Sequence, residues 1–482
     1  MNMQTPPPAI IWPAPKEEIP SPDFTLDVAG QPVFVYQARV RAKILEKPGL
    51  WSHEPDPVGE RASFAIFDLA APVDIVIRPA RPFKTAALWP AKAGLQPVVT
   101  NGAVSFRLDA PQHLTLMLDG LDAQPLHLFI GAPETDAPKP NDPNCLYFGP
   151  GTHVVTQLIV KSGQTVYLAG GAVVKAVLDP ADKGTYSEKW QVTFHSGSAV
   201  GFQNVRNAAL RGRGILDGSL VPHPGENLVR VWGSKAIRLD GVTLRDTPNW
   251  NVSINDSEDV RVDDLRIISG RLNSDGINSC NSSRVTVRNC FVRNHDDGIV
   301  VKTLSPGKPA EDITVENCTL WADWGFALGI TYETRSPVSR IRFLNCAIVY
   351  ARHWGLGIRV CDGSLISDVR FDGIEIGDFN AASLGGSHNA LTRAPQLLWF
   401  GIVKDIWGND PEPGLIRNVR VENVTVHGAV MPPSTILGFD AAHPVEDVLI
   451  QNVRLAGRPP VADLAGLGLR TNAFVRQIRV KP

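Results

Sequence analysis

The sequence has no run of roughly 18 consecutive apolar residues of the kind a membrane-crossing helix needs. It also lacks a basic excess and any Cys-x-x-Cys pair. The first absence removes a transmembrane helix, so no membrane partner is expected. The second argues against nucleic acid: 47 Lys and Arg face 49 Asp and Glu, for a formal net charge of −2, whereas nucleic-acid binders usually carry a basic surplus. The third leaves zinc without its usual ligand spacing, and no metal and no cofactor are expected. The opening stretch MNMQTPPPAIIWPAPKEEIPSP has neither a basic start nor a long apolar run, so it does not read as a signal peptide. A cytoplasmic location is therefore expected, or a secreted or periplasmic one if a leader has been removed. Oligomeric state stays open.

What is present suits a turn-rich β protein: 42 glycines and 39 prolines in 482 residues. Three regions are expected. Residues 1–22 are proline-rich and read as an extended tail. Residues 23–135 carry short alternating segments, among them Val33–Tyr36, Phe64–Phe67, Val73–Ile77 and Val104–Leu108, the last after an Asn101-Gly102 turn signal. This spacing predicts an antiparallel β-sandwich. Residues 136–482 carry an internal repeat.

The repeat is aliphatic, any, aliphatic or aromatic, any, Asn/Asp/Gly, apolar, any, aliphatic. It begins at Ile237, Val260, Val285, Ile313, Ile341, Val369, Val419 and Val448, with spacings of 23 to 29 and one of 50. Strand-like alternation at this period, rich in glycine and β-branched residues, excludes helical hairpins. It predicts an all-β chain whose larger part is a right-handed parallel β-helix, with equivalent residues stacked at about 4.8 Å. Asn289, Asn317 and Asn345 would form an amide ladder at one turn. Cys290, Cys318 and Cys346 beside them read as small apolar filler pointing inward.

A second strand follows each repeat. Aligning its start places Trp250, Asp275, Asp297, Trp324 and Trp354 in one column. Two carboxylates then stand in neighbouring coils with tryptophans above and below, and a third, Asp296, lies beside them. Stacked carboxylates repel, so one must hold its proton more tightly. Indoles pack on the apolar face of a pyranose. Asp-Gly is also a common turn pair, but the two motifs in adjacent coils argue for chemistry. Glycoside hydrolysis needs one carboxylic acid for the leaving oxygen and one carboxylate for water. Five residues further on, Lys302, Gly329 and Arg359 align, so Lys302 and Arg359 are candidates to bind substrate hydroxyls or a carboxylate. His295 and His353 precede column residues; Tyr332 and Glu333 follow in a strand.

Asn273-Ser274-Asp275-Gly276 resembles the Asn-Thr-Asp-Gly motif of the polygalacturonases, glycoside hydrolase family 28, and His295-Asp296-Asp297-Gly298-Ile299 resembles that family's Asp-Asp motif. The resemblance runs over about 145–460. The chain is also similar to the dextranase and isopullulanase family 49, in which a β-sandwich precedes the β-helix. The resemblance implies a carbohydrate substrate and an inverting hydrolase of pectin-type polygalacturonan or a dextran-like α-glucan. Asp296 would be the general acid, Asp275 and Asp297 would activate water, and Asn273, Trp250, Lys302, Trp324, His353, Trp354 and Arg359 would bind substrate. Two departures stand out. Asp323-Trp324-Gly325 replaces the polygalacturonase Gly-His-Gly, and Gly357-Ile358-Arg359-Val360-Cys361 replaces Arg-Ile-Lys. A polysaccharide lyase and a non-catalytic glycan-binding β-helix are the competing expectations.

Overall fold

A computed structural model describes residues 7–41, 60–120, 124–188, 192–195, 197–377 and 395–482. Residues 9–131 build two facing sheets, of six and five strands. In Phe24–Val28 and Val73–Pro79 the alternating apolar residues turn inward and meet Phe67, Phe106 and Leu116 in one core. The sandwich departs from the antiparallel expectation at one pairing: Leu126–Gly131 runs parallel to Glu60–Leu69. The long strand Glu60–Leu69 is covered on both faces, as a near-continuous apolar run requires. Ala65 and Phe67 enter the sandwich core, and Phe64 and Ile66 face the other way, toward the β-helix.

The expected tail is docked rather than free. Ala9–Ile10 adds an edge strand against Asp68 and Leu69. Trp12 lies so close to Gly170 that a Cβ there would sit 2.3 Å from the indole. Glu18 receives both Nη groups of Arg245, at 2.7 and 2.9 Å. Proline keeps this segment extended, and pairing and burial then fix it.

From Cys145 onward the chain winds as a right-handed parallel β-helix. Each coil stacks its strands on the next in parallel, as in the series Val252–Asn255, Ile277–Cys280, Ile299–Thr303, Phe326–Thr334 and Trp354–Val360. The fifth repeat position explains its own composition. Gly241, Asp264, Asn289, Asn317, Asn345, Gly373, Asn423 and Asn452 all adopt φ between 52 and 74°, a left-handed turn that Gly, Asn and Asp tolerate best. Their amides do not all pair with one another: Asn452 donates to Asn423 at 2.7 Å, whereas Asn289 donates to Asp263 at 3.0 Å. Cys290, Cys318 and Cys346 are free thiols sealed in the core. The residue before each repeat is also left-handed (Ala236, Asp259, Arg284, Asp312, Arg340, Asp368, Asn418, Asp447), and there Asp or Asn alternates with Ala and Arg, so the composition marks it less clearly.

The sandwich seats on the β-helix through Tyr36, Phe64 and Phe129 against Val173, Ile215, Ile268 and Phe291. A second patch joins Met117 to Trp321, Val349 and Tyr350. Residues 180–200 contain a small hairpin, Thr185–Ser187 with Val192–Phe194. Residues 378–394 lie outside the described residues.

Because the fifth position is left-handed, Asn317→Val should destabilise the chain by about 1–2 kcal/mol, read as a lower unfolding midpoint in denaturant. Asn317→Gly should change it little, and equal losses in both would mean that packing rather than backbone geometry sets this turn.

Candidate active site

Parallel register fixes the column. Val252 faces Ile277, and Ile277 faces Ile299. The Asn251 N–H donates to the Asp275 carbonyl, and the Gly276 N–H to the Asp297 carbonyl, both at 2.8 Å. Trp250, Asp275 and Asp297 therefore succeed one another in adjacent coils. The next member is Phe326 and not Trp324: Ile299 faces Leu328, and the Gly298 N–H donates to the Phe326 carbonyl at 2.7 Å. Phe326 faces Trp354. Trp324 lies two residues earlier, on a corner that the coil makes through Gly325 at φ 65°. That corner must be glycine, since a Cβ on Gly325 would sit 2.6 Å from the Asp297 nitrogen. The glycine after each aspartate has a similar cause. A Cβ on Gly276 would sit 2.3 Å from the Gly298 oxygen, and one on Gly298 2.4 Å from the Ala327 oxygen.

The three carboxyl groups have different environments. Asp297 is buried, at 1% exposure. Its Oδ1 accepts the Phe326 N–H at 3.0 Å; its Oδ2 accepts the Thr331 hydroxyl at 2.8 Å and the Lys302 ammonium at 3.4 Å. Asp275 is buried with one side-chain donor, the Asn278 amide at 3.0 Å. Burial, followed by the charges of Asp296 and Asp297, pushes its pKa well above the ordinary aspartate range. Asp296 is half-buried, and its Oδ1 accepts the Asp297 N–H at 3.0 Å. Burial and the Asp297 charge raise it to about 7. The Asn294 amide braces the turn from behind, donating to the carbonyls of Asp296 and Asp297 at 2.7 and 2.8 Å. Asn251 does the same for Asp275, at 2.9 Å.

Lys302 and Arg359 each face a carboxylate of the protein. Lys302 has three hydrogens to give, and its Nζ lies 3.1 Å from Glu333, 3.4 Å from Asp297 and 3.5 Å from the Thr331 carbonyl. Burial opposes its charge, but Glu333, Asp297 and Asp275 outweigh burial and hold it protonated. Arg359 is ion-paired with Asp405, and its guanidinium lies 5.1 Å from the rings of both Tyr332 and Trp399. The expected alignment through Gly329 is off by two: Gly329 faces Val300 and Gly357, and Thr331 faces Arg359.

The aromatic candidates separate. Trp250 is half-buried, with the Lys302 Nζ 5.8 Å from its ring. Trp324 is also half-buried, packed edge-on against His353 at 4.2 Å and near His295 at 5.8 Å. His353 itself is buried. Trp354 is corrected from a sugar platform to a structural prop: it is 6% exposed and stacks on Phe326 at 4.3 Å. Asn273 is half-buried and left-handed at φ 54°, on the turn into Asp275. Sequence reasoning missed Thr331, Asn278, Asn251 and Asn294. Asn278 and Asn294 each lie three residues from a motif aspartate, a spacing visible only after the turn is known. Thr331 is reached through a register shift between Val301 and Thr303.

Removing the Asp296 charge should relieve this crowding. Asp296→Asn should raise the unfolding temperature at about pH 8, above the folded value of about 7. The gain should shrink as pH falls through that value and vanish below the ordinary aspartate value of 3.8, where both forms are neutral. A gain that does not vary with pH would show that charge repulsion is not its source.

Residues 152–382 match the model of the glycosyl hydrolases family 28. A probable polygalacturonase of Vitis vinifera is 26% identical over 175 residues, 35% of this chain and 31% of that protein. The match thus spans about a third of that relative's length. The family 28 exopolygalacturonase of Yersinia enterocolitica superposes with a TM-score of 0.52 at 14% identity, covering 84% of this chain and 96% of that one. Dex49A from Penicillium minioluteum superposes with 0.57 at 13% identity, over 97% and 96%. The second covers nearly all of both chains, so the sandwich followed by the β-helix is a shared arrangement. The chain therefore has the sandwich-and-β-helix fold, and it resembles the family 28 glycosyl hydrolases over the stretch that holds Asp275, Asp296 and Asp297.

Proposed function

We propose that the protein is an inverting glycoside hydrolase acting on a neutral α-linked glycan. Asp296 donates a proton to the leaving oxygen, and Asp275 and Asp297 hold the attacking water. One observation carries the reading: two adjacent carboxyl groups are given opposite tasks by their surroundings. Asp297 receives an N–H, a hydroxyl and an ammonium, donors suited to a carboxylate. Asp296, beside it, keeps its proton up to about pH 7 and stays half-exposed, where substrate can meet it. Asp275 tends to stay protonated and serves as a second hydrogen-bonding partner for water. Water then attacks the anomeric carbon and gives its proton to Asp297. The glycosidic C–O bond breaks, and the leaving oxygen takes the proton of Asp296. Attack from the side opposite the leaving group inverts the anomeric centre.

Charge supports a neutral substrate, although the names of two relatives contain polygalacturonase. A uronate needs a cation with a free donor and uncompensated charge. Lys302 is saturated by Glu333, Asp297 and the Thr331 carbonyl, and Asp405 neutralises Arg359. On the far side of Trp250 the next column residue is Asn227, since Val229 faces Val252. Glu226 precedes it, raised to about 7 by burial and by Asp182 and Asp179. Trp250 and Trp324 offer apolar faces that a neutral pyranose can use.

Asp296→Asn should fold normally and lower kcat by roughly 10²–10⁴-fold in a reducing-end assay; near-normal turnover would take the acid role from Asp296. The first product anomer, followed by nuclear magnetic resonance, should be inverted. Polygalacturonate and the same polymer after carboxyl reduction share linkage and shape but differ in charge. The reduced polymer should be hydrolysed at least about tenfold faster, the effect of roughly 1.4 kcal/mol of repulsion. Preference for the charged polymer would reject the neutral-substrate reading.

A further inference from the structure

We infer that His127, in the sandwich, is a positioning residue for the β-helix site: through Arg293 and Asp323 it fixes the corner that holds Asp297. The inference rests on the catalytic reading above, but its evidence is separate. His127 lies on the strand Leu126–Gly131 and is fully buried. Its Nε2 is 3.0 Å from Arg293 Nη1, and its Nδ1 is 2.9 Å from the Thr115 hydroxyl. Arginine can only donate, so Nε2 accepts and the proton sits on Nδ1, which donates to Thr115. Burial and the Arg293 charge keep the ring neutral, as this pattern requires.

Arg293 continues the chain. Its Nε donates to Asp323 Oδ2 at 3.2 Å, the Trp321 indole N–H donates to Asp323 Oδ1 at 3.0 Å, and the Trp321 ring covers the guanidinium at 4.3 Å. All of these side chains are buried. Asp323 begins the Asp323–Gly325 corner. Its N–H donates to the Asn294 carbonyl at 2.9 Å, and three residues on the Phe326 N–H holds Asp297 Oδ1. Gly325 lies against the Asp296–Asp297 peptide. Arg293 also stands three residues before Asp296 on the other arm of the same turn. The strut therefore grips both sides of the site.

Adhesion alone does not call for such a device. Phe64 and Phe129 packed on Ile268 and Phe291 already join the two parts, and apolar contact usually stabilises an interface better than a buried ion pair does. What the pair adds is direction. Arg293 donates to His127 on one side and to Asp323 on the other, which leaves the corner one orientation, and that orientation aims the Phe326 N–H.

The test compares three variants of the full chain on the glycan that the wild type hydrolyses. His127→Leu should lower kcat roughly tenfold or more with KM within about threefold, as loss of a transition-state geometry does. His127→Gln, whose amide oxygen can accept from Arg293, should recover most of the lost kcat. Phe64→Leu, at the same interface but outside the strut, should lower the unfolding temperature and leave kcat in place. A His127→Leu protein with only a lower unfolding temperature, or a Phe64→Leu protein with the same kinetic loss, overturns the inference. If the wild type hydrolyses no glycan, the catalytic reading fails and stability decides the strut. The gain from Asp296→Asn at about pH 8 should then fall by roughly half in the His127→Leu background and persist in Phe64→Leu, the non-additivity expected of coupled residues. Persistence in both backgrounds overturns the strut as well.

Discussion

The hydrogen bond from the Phe326 N–H to Asp297 is the contact on which the site depends. It crosses from one coil to the next, so it exists only if the β-helix is in register. It also exists only if the coil turns sharply enough at Gly325 to bring the backbone against the Asp296–Asp297 peptide. Fold and chemistry thus share one constraint. Parallel stacking sets Asp275 and Asp297 one coil apart, and the close approach of coils at Gly276, Gly298 and Gly325 leaves no room for a side chain that would spread them. The energetic cost of crowding three carboxyl groups is offset by Lys302, Thr331, Asn278 and backbone N–H groups. It is offset unevenly, and the unevenness separates an acid from a base.

The surroundings extend this logic to the substrate. Lys302 is turned inward onto Glu333 and Asp297, and Arg359 onto Asp405, whereas Arg352 lies over the Trp324 ring at 5.2 Å. These pairs build the walls of the site and leave little positive charge to present. Tyr332, in a left-handed turn at φ 56°, lies between the two cations at 5.1 Å from each, which fixes their spacing without adding charge.

Much of this was legible in the sequence. The repeat gave the β-helix because each of its positions has a backbone or packing requirement, most clearly the left-handed fifth residue. The two aspartate motifs and their coil spacing located the site. Four things were hidden. Trp324 was misaligned because a column read from sequence assumes equal strand starts, and the Asp323–Gly325 corner adds two residues. Trp354 looked like a sugar platform because an indole in a column has no sequence mark for whether Phe326 already covers it. The His127–Arg293–Asp323 strut joins residues up to 196 positions apart, and no local pattern announces such a contact. The docking of residues 8–18 was hidden for the same reason: proline predicts extension, but not whether a partner strand is waiting.

The division of labour between Asp296 and Asp297 is tested most directly by the pH dependence of kcat/KM for the wild type and Asp296→Asn on one glycan. The account predicts that wild-type activity declines as pH rises through about 7, where Asp296 loses its proton, and that the residual activity of the variant shows no such decline. A decline that persists unchanged in Asp296→Asn would contradict it.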